Sequence, residues 1–170
     1  LHGPVLKENL GYYLEKYAIW SSYRPEEEGI LIACASIHGH TKEAAKKLEE
    51  LLKARGAKTV EFIDLTRTDL SRAVEAAFRY SKLALACNTY NMSVNPFMHQ
   101  FLTVLAEHSY QKRTVGLIEN GSWAPVAAKA MRGMLEKCKE ITFAENTVTV
   151  LSAMKPQNEE QIKALAAELA

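Results

Sequence analysis

From residue 29 onward, five short apolar runs alternate with stretches whose apolar residues recur at helical spacing. The runs are Ile30–Ala35, Val60–Asp64, Leu83–Cys87, Val115–Glu119 and Val148–Leu151, and each reads as a β-strand. The first, third and fourth are apolar almost throughout, the pattern of parallel strands covered on both faces, which places them at the centre of a sheet. Val60-Glu61-Phe62-Ile63-Asp64 carries a charge in its middle, so it is expected at or near an edge, beside the first strand. Lys42 to Arg55 sets Ala44, Ala45, Leu48, Leu51 and Leu52 on one stripe and stops at Gly56, a helix with one face on the sheet. Asn95-Pro96 reads as a cap and a first-turn proline ahead of Phe97, Met98, Phe101, Leu102 and Leu105. Pro125 sits near the start of a helix running to about Lys139, and Pro156 precedes the last helix, with Ile162, Leu165, Ala166 and Leu169 inward. Strand–helix alternation of this kind implies right-handed crossovers and a doubly wound α/β sheet.

Residues 1–28 do not share the rhythm. Leu1 to Tyr23 is tyrosine-rich and helical in pattern, and Arg24-Pro25-Glu26-Glu27-Glu28 reads as a charged linker, so a boundary is expected near Pro25. This leading segment looks like an appended helix or the tail of another unit.

Composition narrows the function. A chain of 170 residues, nearly half of them hydrophobic, can bury one good core. Twenty-one basic residues against twenty acidic ones leave no field that would attract nucleic acid or anionic lipid. No apolar stretch approaches ~20 residues and no basic-then-hydrophobic leader opens the chain, so neither a membrane span nor a signal peptide is expected. Cys34, Cys87 and Cys138 are far apart and form no Cys-x-x-Cys pair, which suits a reducing, cytoplasmic compartment. Cys34 and Cys87 lie on apolar strands, where a thiol behaves as a small core residue.

The chemistry sits where the first strand ends. Ser36-Ile37-His38-Gly39-His40-Thr41 opens directly into a helix, so hydroxyls, a glycine and free backbone N–H groups converge where the helix dipole favours an anion. It is a phosphate-binding turn without a lysine. Open α/β sheets bind ligands outside the carboxyl ends of their strands, and two further ends look prepared: Asn88-Thr89-Tyr90-Asn91 after the third strand and Asn120-Gly121-Ser122-Trp123 after the fourth. Tyr90 and Trp123 on adjacent strand ends imply a flat aromatic group between them, and a phosphate with such a ring suggests flavin mononucleotide, FMN. At ~0.3 kcal/mol per atom, a ligand of ~30 atoms reaches about 9 kcal/mol, against ~0.3–1 kcal/mol for the helix terminus alone, so retention needs the ring contacts.

At this point the sequence resembles a known family. Ser36 to Thr41 is similar to the flavodoxin phosphate loop, and Tyr90 and Trp123 resemble that family's stacking aromatics. Leu1-His2-Gly3-Pro4-Val5-Leu6-Lys7-Glu8-Asn9, with Trp20-Ser21-Ser22-Tyr23, resembles the seam of flavodiiron proteins, where a metallo-β-lactamase-like diiron domain meets a flavodoxin-like one. The resemblance implies a flavodoxin-like, three-layer fold with a five-stranded parallel sheet of order 2-1-3-4-5. It also divides the chain into residues 1–28, the end of the diiron domain plus linker, and residues 29–170, the FMN-binding domain. His2 matches the last histidine ligand of the diiron centre, whose other ligands are absent from this sequence. Implied partners are rubredoxin or a flavin/NADH reductase as electron donor and a second subunit in a head-to-tail homodimer or higher oligomer, with oxygen or nitric oxide reduced at the iron pair. Two loops depart from the family pattern: the second lacks the frequent proline, and the third replaces a Tyr-Gly-Trp turn with Asn120-Gly121-Ser122-Trp123.

In this reading no side chain acts as acid, base or nucleophile, because the chemistry belongs to the flavin. A metal site at His38 and His40 is disfavoured, since Thr41, Lys42 and Glu43 stand where the β-lactamase pattern needs an aspartate and a further histidine. The two imidazoles line an anion site or lie in solvent. His99, His108, Glu26-Glu27-Glu28 and Lys46-Lys47 are assigned no role. A phosphorelay receiver shares the fold but needs an acidic residue where Cys87-Asn88 stands. A cofactor-free interaction domain on the same fold is the remaining alternative.

Overall fold

The computed structural model describes residues 3–170, so His2 and the first part of the seam lie outside the described residues. A central parallel sheet is built from β1 (Glu27–Ala35), β2 (Val60–Asp64), β3 (Tyr80–Tyr90), β5 (Arg113–Asn120) and β6 (Ile141–Val150). Its order is β2-β1-β3-β5-β6, and the two-residue β4 (Ser93–Val94) pairs only with β3, antiparallel. Counting the five parallel strands alone, this is the expected 2-1-3-4-5. The order reverses between β1 and β3, so a crevice opens at their carboxyl ends. β2 pairs only with β1 and forms one edge, while the three apolar runs are the inner strands.

Side chains alternate across the sheet and build two cores. From β1, Leu31, Ala33 and Ala35 face the side covered by α3 (Leu70–Arg79), α4 (Pro96–Glu107) and α5 (Ala127–Leu135). Ile30, Ile32 and Cys34 face α2 (His40–Ala54) and α6 (Pro156–Leu169) on the other side. At ~25 cal/mol per Å² of apolar area, filling both faces of the inner strands is the main stabilisation of the fold. The Asn95 side chain accepts the Phe97 N–H at 3.1 Å, the expected cap ahead of Pro96.

Several boundaries differ from the sequence expectations. β6 spans ten residues because it is an edge strand with buried and open positions mixed, which a search for apolar runs misses. β3 continues through Asn88-Thr89-Tyr90 and turns back through β4, so this second segment is a hairpin and not a loop. Asn91 and Met92 close it with φ of 47° and 58°, the left-handed pair of a two-residue hairpin turn. α2 begins at His40, two residues before the apolar stripe suggested, and α5 ends at Leu135.

The leading helix α1 (Leu10–Ser21) is shorter than the 1–23 pattern and buries none of its residues. Two sets of contacts attach it. Glu26 accepts from the Lys16 ammonium and from Trp20 Nε1 at 2.7 Å, so it is not a merely solvated charge. On the sheet side, Lys112 Nζ reaches the Ser22 carbonyl at 3.1 Å and Arg113 Nη1 the Tyr23 carbonyl at 2.8 Å. Arg113 is 3% exposed and also donates to the carbonyls of Phe78 at 2.6 Å and Tyr80 at 2.7 Å. Burial pulls its pKa down, but backbone oxygens take its donors in place of a carboxylate.

Candidate functional site

A cavity of about 370 Å³ lies at the carboxyl ends of the parallel strands, within the ~300–1,000 Å³ typical of small-molecule sites. β1 and α2 contribute Ser36, Ile37, His38, His40 and Thr41; β3 contributes Asn88 and Thr89; the turn after β5 contributes Asn120, Gly121 and Ser122. The three segments singled out in the sequence therefore converge. Gly39, Tyr90, Asn91 and Trp123 do not line the cavity. Gly39 is the turn itself, Tyr90 and Asn91 lie on the hairpin, and Trp123 is 96% exposed.

The first segment leaves backbone N–H groups free at the cavity. Ala35 ends β1 inside the core, and the chain turns at Gly39, whose φ of 92° is left-handed and suits a residue without Cβ. The Gly39 N–H donates to Ser36 Oγ at 3.1 Å, closing the turn. Gly39 is also the N-cap of α2 and brings no side chain to its first N–H groups, which the helix cannot satisfy itself. Thr41 is buried in the first turn, and Lys42 points away to an ion pair with Asp64 at 2.9 Å. Among the described residues no lysine or arginine lines the cavity.

The opposite wall is a neutral hydrogen-bonded frame. Asn120 donates through Nδ2 to the Ser152 carbonyl at 2.8 Å, and its Oδ1 accepts the Ser152 N–H at 3.2 Å. Ser152, which follows β6 with φ of 68°, also lines the cavity and places its hydroxyl 3.3 Å from that of Ser122. Sequence reasoning missed it, although the end of the fifth strand belongs to the same edge of the sheet. Gly121 is needed for packing: a Cβ there would stand 2.8 Å from Pro125 Cα, so the turn can close on itself only with glycine.

Beneath this wall is a second residue that the sequence reading passed over. Glu119, 8% exposed at the end of β5, accepts the Ala128 N–H at 2.9 Å and the Thr149 hydroxyl at 3.0 Å. Thr89 Oγ1 accepts the Val126 N–H at 3.1 Å. Side chains from β3 and β5 thus cap α5 from outside and hold the turn ahead of it. The signal was a lone carboxylate ending an otherwise apolar strand. Burial pushes the Cys34 and Cys87 thiols up to about 12, with Asp64 adding to the effect at Cys34, so neither is a nucleophile at neutral pH. Among the described residues no group of three or more metal-ligating side chains gathers, and His99 and His108 lie on α4 and at its end, away from the cavity.

No family model matches the sequence. No curated protein matches it either. Solved structures do. The rubredoxin oxygen:oxidoreductase of Desulfovibrio gigas aligns over 94% of this chain and 39% of its own, with a TM-score of 0.87 at 18% identity. A flavodoxin from the domain Archaea aligns over 84% of this chain and 96% of its own, with a TM-score of 0.71 at 15% identity. The fold is that of a flavodoxin. The flavodiiron protein of Giardia intestinalis matches this flavodoxin-like chain over 96% of its length and 40% of its own, with a TM-score of 0.85 at 18% identity. Residues 29–170 alone fall short of such coverage, so the two longer alignments extend into the leading segment. The chain spans about two fifths of the length of those two structures.

Proposed function

We propose that this chain is an FMN-binding electron-transfer module of a flavodiiron oxidoreductase. The observation that carries the reading is the uncapped start of α2, closed by Ser36 and Gly39, opening into a cavity whose other walls are neutral amides and hydroxyls. These residues suit FMN chemically. Ser36, Ile37, His38, Gly39, His40 and Thr41 would hold the phosphate, and Asn88, Thr89, Asn120, Gly121 and Ser122 the polar edge of the ring. Tyr90, Asn91 and Trp123 would flank it. FMN, when bound, supplies one- and two-electron transfer. The chain's own residues bind, orient and tune, and none acts as acid, base or nucleophile.

In this reading residues 1–28 are the end of a metallo-β-lactamase-like diiron domain plus linker, with His2 its last iron ligand, and residues 29–170 are the flavin domain. The similar fold of the rubredoxin oxygen:oxidoreductase supports rubredoxin as donor, with a flavin/NADH reductase the other candidate. A homodimer or higher oligomer would bring the flavin to a partner's iron, where oxygen or nitric oxide is reduced. No helix among the described residues is long and apolar enough to cross a membrane, which accords with the cytoplasmic setting we assign.

One feature favours a second reading, a cofactor-free interaction domain: Trp123 stands 96% exposed on a turn that departs from the family pattern. Absorption separates the two. Protein supplied with excess FMN and then desalted is expected to retain flavin absorbance and quenched flavin fluorescence. Colourless protein overturns the electron-transfer reading and leaves the interaction domain.

A further inference from the structure

We propose that α1 is a hinged strap over a cavity of its own, fastened along its length by the Glu26 carboxylate and lifted when that fastening is lost. The cavity measures about 390 Å³ and has Tyr12, Lys16 and Trp20 of α1 on one side and Glu75, Phe78 and Arg79 of α3 on the other. It shares no lining residue with the crevice at the strand ends.

A helix that belongs to a core buries a face against it, and α1 buries none of its 12 residues. Leu10, Tyr13, Leu14 and Tyr17 stay exposed, and open space instead of packed side chains separates the helix from α3. Helices of this length are marginal in water by themselves, so α1 depends on the few polar bonds that hold it down.

Those bonds fall into two groups with different character. At the C-terminal end, the carbonyls of Ser22 and Tyr23 accept from Lys112 and from the buried Arg113, which is itself locked to the Phe78 and Tyr80 carbonyls. This end is the hinge. Along the helix, Glu26 alone does the fastening: Oε2 accepts from the Lys16 ammonium and Oε1 from Trp20 Nε1 at 2.7 Å. Among the described residues no other side chain of α1 bonds to the body of the chain. Glu26 is anchored in turn, its N–H donating to the Arg79 carbonyl at 2.8 Å at the end of α3. One carboxylate therefore couples two turns of α1 to the sheet domain. Without it the helix lifts from its N-terminal end, frays, and uncovers the wall formed by Phe78.

The fastening is partly ionic and only part-buried, so salt weakens it, whereas the hinge bonds from Arg113 are buried and are not screened. Hydrogen exchange of the full chain, read by mass spectrometry on peptides of α1, α2 and the inner strands, tests this. In Glu26→Ala the amides of residues 14–21 should exchange roughly tenfold faster, the scale of one or two charge-assisted hydrogen bonds, while α2, β1 and β3 keep their protection. Glu26→Gln, which keeps an acceptor for Trp20 and loses the ion pair, should fall between Glu26→Ala and the wild type. Raising salt from about 0.1 M to about 1 M, which shortens the screening length from about 10 Å to about 3 Å, should speed exchange of α1 in the wild type and leave Glu26→Ala unchanged. Three results overturn the proposal: α1 amides unprotected in the wild type, protection indifferent to both Glu26→Ala and salt, or a loss in Glu26→Ala shared equally by β1 and β3. The salt arm uses the unaltered chain, so it decides the matter even if a variant fails to fold.

Discussion

The Ala128 N–H donates to Glu119 Oε2 at 2.9 Å, so a carboxylate at the end of an inner strand caps a helix that brings no side-chain cap of its own. Glu119→Ala leaves a buried N–H and the Thr149 hydroxyl without their acceptor, and a loss of about 2–4 kcal/mol is expected. Glu119→Gln retains an acceptor oxygen and should lose only about 1 kcal/mol. Urea unfolding midpoints check the order. Equal losses for the two variants would show that the carboxylate matters by its volume and not by its bonds.

Trp123 packs against almost nothing, being 96% exposed. Trp123→Ala should leave the unfolding midpoint unchanged and weaken FMN binding by about 0.5–1.5 kcal/mol through lost stacking. An unchanged dissociation constant in a flavin titration would remove Trp123 from the site.

The three thiols differ in access. Cys34 and Cys87 are fully buried, with pKa pushed up to about 12 by burial, while Cys138 is half-buried and raised less drastically by the same cause. A thiol reagent at pH 8 should modify Cys138 first and reach the other two only as the protein unfolds. Mass spectrometry of a labelling time course reads this directly, and early modification of Cys87 would contradict the burial.

Asp64 sets part of the acid limit. Burial would raise its carboxyl, but bonds from the Thr66 hydroxyl, the Lys42 ammonium and the Thr66 N–H outweigh burial and hold it below the ordinary range. A carboxyl lowered on folding contributes stability above its unfolded pKa of ~3.9, and that contribution is lost as pH falls below this value. Asp64→Asn should therefore flatten the loss of stability below about pH 4 and lower stability at pH 7. Acid titrations followed by circular dichroism distinguish this from an unaltered acid limb.

Arg113 ties the leading segment to the sheet through the Tyr23 carbonyl while holding Phe78 and Tyr80. Arg113→Lys replaces a planar fork with a single ammonium and strands several carbonyls, so a loss of about 2–4 kcal/mol is expected. Hydrogen exchange should quicken at residues 22–26 beyond the change seen in the inner strands. Protection that falls equally everywhere would deny Arg113 its role as a tie.

The inner strands were legible because double-sided burial produces unbroken apolar runs, and their order followed from the family resemblance; the segment Ser36–Thr41 was legible as the turn between the first strand and its helix. β6 was foreshortened because its positions are mixed in burial. The β3–β4 hairpin was hidden because its turn is Asn91-Met92, and methionine rarely signals a left-handed pair. Glu119 and Ser152 escaped for another reason. Their roles depend on which strand lies alongside, a fact of register that no single segment contains.

The tight turn at Asn91-Met92 also fixes where its neighbour stands. Two residues in left-handed conformations, braced by the pairs Thr89–Val94 and Tyr90–Ser93, give the hairpin one shape. Tyr90, 42% exposed on it, is therefore held ready in one place for whatever it meets.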